Sequence, residues 1–309
     1  MSAVVVENIV KKYQVAKSEV IALKGVSFEV AKGELFGIVG PDGAGKTSLF
    51  RVLTTLLLAD AGNATIEGYD VVKDYKLIRK KLGYMPGRFS LYQDLSVEEN
   101  LDFFATIFNT SITENYDLIK DIYQQIEPFK KRRAGKLSGG MKQKLALCCA
   151  LIHKPSILFL DEPTTGVDAV SRKEFWEMLQ RLKAQGITIL VSTPYMDEAS
   201  LCDRVALLQN GNILAIDKPF NINQQFAHPL WAVQSKNMYA LLKALKAWGA
   251  VLSCYSFGEY YHVVMKSDET NGEEIKEYLM KRAFQEVEVK QITANIEDSF
   301  MALMNTSHE

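Results

Sequence analysis

The sequence predicts an α/β fold built on a mostly parallel sheet, followed by a small α+β domain. Three observations carry this expectation. Short apolar runs at 34–39, 157–160 and 187–192 alternate with helical stretches, the pattern of a parallel sheet buried on both faces. The first run leads straight into a glycine-rich loop and then a helix. Beyond residue 220 the periodicities follow the order β-α-β-β-α-β, a ferredoxin-like arrangement.

Taken in order, residues 4–30 hold β-branched segments, VVVENIV and VSFEV, broken by polar residues; they predict a small antiparallel β lobe. The strand at 34–39 is followed by the loop 40–47 and the helical stretch SLFRVLTTLLL. Residues 88–150 turn helical, with VEENLDFFATIF, NYDLIKDIYQQI and MKQKLALCCALI, and predict a helical insertion beside the sheet. The second strand ends at Asp161-Glu162, and an amphipathic helix around 172–184 precedes the third. NINQQFAHP then looks like a linker, which sets domains at 1–220 and 221–309. In the second, Trp231, Trp248, Tyr260 and Tyr261 are expected in the core.

The composition excludes several classes. The 309 residues are 48% hydrophobic and 24% charged, which excludes disorder. The longest apolar run, Leu145–Ile152, falls short of the roughly 20 residues of a membrane-spanning helix. MSAVVVENIVKKY lacks a basic n-region, so the chain is expected in the cytoplasm. Lys+Arg 36 against Asp+Glu 37 argues against a nucleic-acid partner, and Lys130-Lys131-Arg132-Arg133 reads as a solvated helix end. Cys148, Cys149, Cys202 and Cys254 lack metal-ligand spacing and read as buried thiols.

The chemistry-bearing residues form three groups. Gly40-Pro41-Asp42-Gly43-Ala44-Gly45-Lys46-Thr47 satisfies the phosphate-loop pattern. There, backbone N–H groups and a helix N-terminus face phosphate oxygens, Lys46 reaches the β- and γ-phosphates, and Thr47 ligates Mg2+. Asp161 closes an apolar strand, where a carboxylate needs a partner such as Mg2+, and Glu162 is placed to orient or deprotonate an attacking water. A solvated strand end is the other reading of that pair. Leu137-Ser138-Gly139-Gly140 opens a long helix: Ser138 suits an N-cap, and the glycines leave the N-terminus open to an anion.

Together with the later Asp168, these motifs resemble the ATP-binding cassette family, in particular the P-loop ATPase subunit of an ABC transporter, over residues 4–216. The resemblance implies ATP and Mg2+ as cofactors. It makes Gly40, Pro41, Asp42, Gly43, Ala44, Gly45, Lys46, Thr47 and Ser48 the Walker A phosphate site, Thr47 and Asp161 the metal residues, and Glu162 the catalytic base. Ser138, Gly139 and Gly140 match the signature that caps ATP held by a facing subunit, and Asp168 matches the loop between subunits. Tyr13 takes the place of the adenine-stacking aromatic, with a lobe-packing tyrosine as the alternative. A second cassette, identical or different, is therefore expected.

Two departures stand out. Gly87 occupies the family's glutamine position, and Pro194 the switch histidine's. Neither side chain donates a hydrogen bond. Loss of a preorganised donor costs about 2.7–4 kcal/mol of transition-state stabilisation, so slow ATP hydrolysis is expected.

Without a span of its own, the subunit is expected to work beside a separate transmembrane permease, peripheral on the inner face of the membrane. The stretch Arg88–Leu101 occupies the docking position for the permease, with Phe89, Leu91 and Tyr92 expected to be exposed; packing of the insertion is the other reading. This stretch and the IEDSFMAL ending look like the exporter subclass for drugs or antibiotics. The alternative is a soluble ABC-type ATPase acting in translation or regulation.

Overall fold

The computed structural model describes residues 1–15, 18–267 and 270–306. The chain divides into two compact units, Met1–Pro219 and Phe220–Glu309. The first begins with β1 (Ser2–Val15), β2 (Ser18–Ala31), β3 (Leu35–Val39), α1 (Lys46–Leu53), β4 (Ala61–Ile66), β5 (Tyr69–Asp70), α2 (Tyr75–Lys81) and β6 (Leu82–Met85). Three helices follow, α3 (Val97–Ile107), α4 (Tyr116–Tyr123) and α5 (Gly139–Leu151). Then come β7 (Ile157–Asp161), α6 (Ala169–Ala184), β8 (Thr188–Thr193), α7 (Met196–Ala199), β9 (Arg204–Gln209) and β10 (Asn212–Asp217).

Two sheets result. The lobe is antiparallel, ordered β2-β1-β4-β5. Its first two strands outrun their apolar segments because pairing continues through exposed Lys12 and Glu19, joined by an ion pair at 3.1 Å. The larger sheet is ordered β10-β9-β3-β8-β7-β6 and is parallel except for β10. Every residue of β3, β7 and β8 is buried, as strands covered on both faces require. Register sets Val39 beside Thr193 and Asp161 beside Ser192. Three strands therefore end at one edge, the place where α/β sheets hold ligands.

Helix α1 stops at Leu53, short of its apolar stretch, because Thr55 turns left-handed at φ 64° and leaves Leu56 and Leu58 exposed. It covers the sheet through Phe50, which meets Phe159 of β7 edge to face at 5.7 Å between ring centres. In the helical insertion, α3 starts with a reciprocal capping box between Ser96 and Glu99. Lys131, Arg132 and Arg133 are exposed after a 3-10 turn at Glu127–Phe129 rather than at an α-helix end. The four cysteines are buried and unpaired, and burial pushes their thiol pKa values up, that of Cys254 to about 11.

The second unit's elements are α8 (Pro219–Gln224), β11 (Leu230–Gln234), α9 (Met238–Lys246), β12 (Val251–Phe257), β13 (Tyr260–Met265), α10 (Gly272–Met280), β14 (Glu288–Ile292) and α11 (Ile296–Thr306). The expected linker is thus helical in its first part. A single buried Ile222 anchors α8, too little to show as a periodicity in the sequence. The sheet runs β12-β13-β11-β14 with every neighbour antiparallel, the ferredoxin-like order. Trp231 and Tyr261 are buried with Leu241 and Leu245 of α9 and Ile275 and Leu279 of α10, and Trp248 stacks on Tyr278 at 4.0 Å. Among the described residues no helix is long and apolar enough to cross a membrane.

Phe159 is fully buried. Phe159→Ala is expected to destabilise the first unit by about 3–5 kcal/mol, read as a lower urea midpoint at unchanged m-value.

Candidate nucleotide site

The site begins where β3 leaves the sheet. A Cβ on Gly40 would lie 2.0 Å from the carbonyl oxygen of Leu208, so only glycine passes there. Gly45 sits at φ 111° as the N-cap of α1, and its Cβ would meet the Ala22 carbonyl oxygen at 2.4 Å. No side chain caps α1, whose first N–H groups remain available to an anion. Lys46 is 3% exposed, yet all three of its donors are used. Its Nζ donates to the carbonyls of Gly40 (2.8 Å) and Pro41 (3.0 Å) and pairs with Glu162 Oε1 at 3.1 Å.

The adjoining strand ends supply the carboxylates. Asp161 is 2% exposed and accepts at Oδ1 from Ser192 Oγ (2.7 Å) and Thr47 Oγ1 (3.2 Å). Glu162 adopts the left-handed region at φ 50°. Two hydrogen bonds from its N–H, to Ser192 O (3.1 Å) and Ser192 Oγ (2.9 Å), hold it in that uncommon conformation. Thr47 and Asp161 offer Mg2+ two hard oxygen ligands at one point, the small protein share usual for an ion held mostly by phosphate and water. Among the described residues no cluster of three His, Cys, Asp or Glu side chains offers a larger metal site.

Tyr13 is half-buried, and its hydroxyl lies 3.1 Å from Ser48 Oγ. Asp42 and Gly43 are exposed on the loop, and Ala44 is buried beneath it. Ser138 caps α5, its Oγ accepting from the Met141 N–H at 3.4 Å. Gly140 is buried so close to Ser171 that a Cβ would lie 2.6 Å from the serine Oγ. Asp168 caps α6 by accepting from the Ser171 N–H at 3.0 Å, which holds its carboxyl below the usual range. Signature and Asp168 thus share one neighbourhood, and among the described residues no hydrogen bond ties it to the phosphate loop.

Gly87 lies against the end of β7: a Cβ there would sit 2.9 Å from the Asp161 carbonyl oxygen. Beside Pro194, Thr193 donates to buried Glu198, which also takes a 2.8 Å bond from Thr164 and an ion pair with Arg172. A cavity of about 440 Å3 opens next to Thr47, Asp161 and Glu162, walled by Arg51, Tyr84, Gly87 and Arg88. Arg51 lies in no motif of the sequence; Tyr84 and Arg88 flank the Gly87 position, and Ser192 lies two residues before Pro194, but none of the four is a candidate site residue from the sequence. The register of β8 on β7 is what brings Ser192 to Asp161. Burial first, then the Asp161 charge, pushes the Tyr84 hydroxyl up to about 12, opposed by Arg51. The expectation for the 88–101 stretch needs correction. Leu91 is 8% exposed because it lines the base of a groove, Phe89 is half-buried under Lys142, and Tyr92 alone of the three is exposed.

Parallel sheet, phosphate loop and helical insertion together make this the fold of a P-loop ATPase cassette. The ABC transporter family profile matches residues 23–165. The "Probable multidrug ABC transporter ATP-binding protein YbhF" of Escherichia coli (strain K12) is 38% identical over 277 residues, 88% of this chain and 47% of that protein. The ABC transporter ATP-binding protein NatA of Bacillus subtilis (strain 168) is 36% identical over 208 residues, 66% of this chain and 85% of that protein. A solved ATP-binding subunit of an ABC transporter superposes with TM-score 0.65 at 27% identity, over 73% of this chain and 93% of the other. The chain belongs to the ABC transporter family. It spans about half the length of the first of these relatives.

Because the folded state keeps Tyr84 protonated above its unfolded pKa near 10, stability is expected to fall as pH rises from about 10 to 12. Tyr84→Phe should shallow that loss and delete a late-ionising tyrosine from a UV titration.

Proposed function

We propose that this chain is the ATP-binding and ATP-hydrolysing subunit of an ABC exporter, driving drugs or other small hydrophobic compounds through a separate permease. The observation that carries this reading is the convergence of Lys46, Thr47, Asp161 and Glu162 at one sheet edge. The two carbonyl contacts keep Lys46 aimed into the loop while a γ-phosphate competes with Glu162 for its third donor. Glu162, released, takes up the attacking water. Mg2+, when bound, neutralises charge on the β- and γ-phosphates; Thr47 and Asp161 hold it. Tyr13 stacks on the adenine, and the rest of the loop, Gly40 to Ser48, wraps the phosphates.

Residues 1–220 form the nucleotide-binding domain, with 88–150 its helical subdomain, and 221–309 an accessory α+β domain. Ser138, Gly139 and Gly140 present the α5 N-terminus to ATP on a second cassette, with Asp168 alongside. A solved dimeric cassette bound to ADP and Pi, 25% identical with TM-score 0.63, supports the pairing; it covers 70% of this chain, which covers 98% of it. The permease docks at an apolar groove of about 440 Å3 lined by Met85, Leu91, Phe104 and Phe108, which keeps the subunit cytoplasmic on the inner face of the membrane. The transport names of the relatives speak against a role in translation.

Hydrolysis at this chain's own site is slow, by two to three orders of magnitude, because positions 87 and 194 lack donors. Pro194→His should raise the ATPase rate of the purified protein, and Glu162→Gln should abolish what remains. If Pro194→His leaves the rate unchanged while Glu162→Gln abolishes it, the site is not impaired. Co-purification with a co-expressed membrane subunit, and stimulation of ATPase by hydrophobic compounds, tests the transport reading; co-sedimentation with ribosomes would overturn it.

A further inference from the structure

The proposal that follows rests on the nucleotide reading of the site. The wall that faces Thr47, Asp161 and Glu162 contains no neutral side-chain donor at position 87, and the backbone there leaves no room for one. It contains two guanidinium groups instead, Arg51 on α1 and Arg88 just after Gly87. They differ in place. Arg51 is exposed beside Tyr84, whose hydroxyl pKa its charge lowers, and Arg88 adjoins Gly87. Arg88 is exposed and, among the described residues, has neither an ion pair nor a hydrogen bond.

Charge favours an anion in front of Arg88. Lys46, Arg51 and Arg88 outnumber Asp161 and Glu162 around the cavity, and the uncapped N-terminus of α1 adds partial positive charge. Lys46 is already fixed by two carbonyls. Arg88, next to the position that lacks a side chain, keeps its fork of five donors free, and a guanidinium matches a terminal phosphate bidentately where an ammonium does not.

We propose that Arg88 is the residue that senses the terminal phosphate in this chain, standing in for the absent side chain at 87 and making the site selective for a nucleoside triphosphate over a diphosphate. A permanent cation in place of a neutral amide strengthens the hold on the ground-state phosphate without supplying an orienting acceptor for water. Tight triphosphate binding and slow turnover then have one cause.

The test uses the full 309-residue chain and a fluorescent ATP analogue displaced by ATP or ADP in the presence of Mg2+. Arg88→Ala should weaken ATP about tenfold, some 1.4 kcal/mol, while ADP changes less than twofold. Arg88→Lys should restore only part of the ATP affinity, because a point charge lacks the fork. Equal losses for ATP and ADP, or no loss for either, overturn the proposal. Lys46→Ala separates the two levels. If the parent binds nucleotide no better than Lys46→Ala, the nucleotide reading fails and takes this proposal with it. If Lys46→Ala abolishes binding while Arg88→Ala leaves the ATP-to-ADP ratio unchanged, only the assignment of Arg88 fails.

Discussion

The ion pair between Lys46 and Glu162 is the constraint on which the rest of the site depends. An ammonium that is 3% exposed must have every donor met and its charge answered, and the partly exposed Glu162 answers it. That requirement draws together residues 116 positions apart in the chain. It is met because β3, β8 and β7 run parallel and end level, with Ser192 between the two loops. Ser192 is the joint: its hydroxyl donates to Asp161 and accepts from the Glu162 N–H, and its carbonyl accepts from that same N–H. One serine thereby fixes the Asp161 carboxylate and the left-handed turn that carries Glu162.

The second unit satisfies its own constraints by other means. Its helices α9 and α10 cover one sheet face through an apolar cluster that includes Trp231 and Leu245. Near the chain's end, Asp298 on α11 meets His262 on β13 at 2.7 Å, both almost fully buried, and Phe257 stacks on the histidine at 4.2 Å. A polar pair inside an otherwise apolar layer fixes how the terminal helix sits within this unit, because a buried hydrogen bond tolerates little displacement.

Several features were legible because their cause is local. The phosphate loop is a contiguous run whose glycines answer to backbone geometry, as the contacts at Gly40 and Gly45 show. The buried strands announce themselves by unbroken apolar runs, and the ferredoxin-like order by alternation. The misreadings have local causes too: α8 rests on one buried isoleucine, and Leu91, in a stretch that looks exposed, turns inward to line a groove.

By itself, the sequence determined the fold class and the family, since each follows from contiguous patterns read along one strand, loop or helix. Tertiary structure alone decided what surrounds Asp161. Arg51 comes from α1 and Tyr84 and Arg88 from the end of β6 and the chain after it, and all three line the cavity beside Asp161, while strand register sets Ser192 against Asp161. Spacing in the chain specifies local conformation, whereas the electrostatics of a site depend on distances across the sheet, which no single segment encodes.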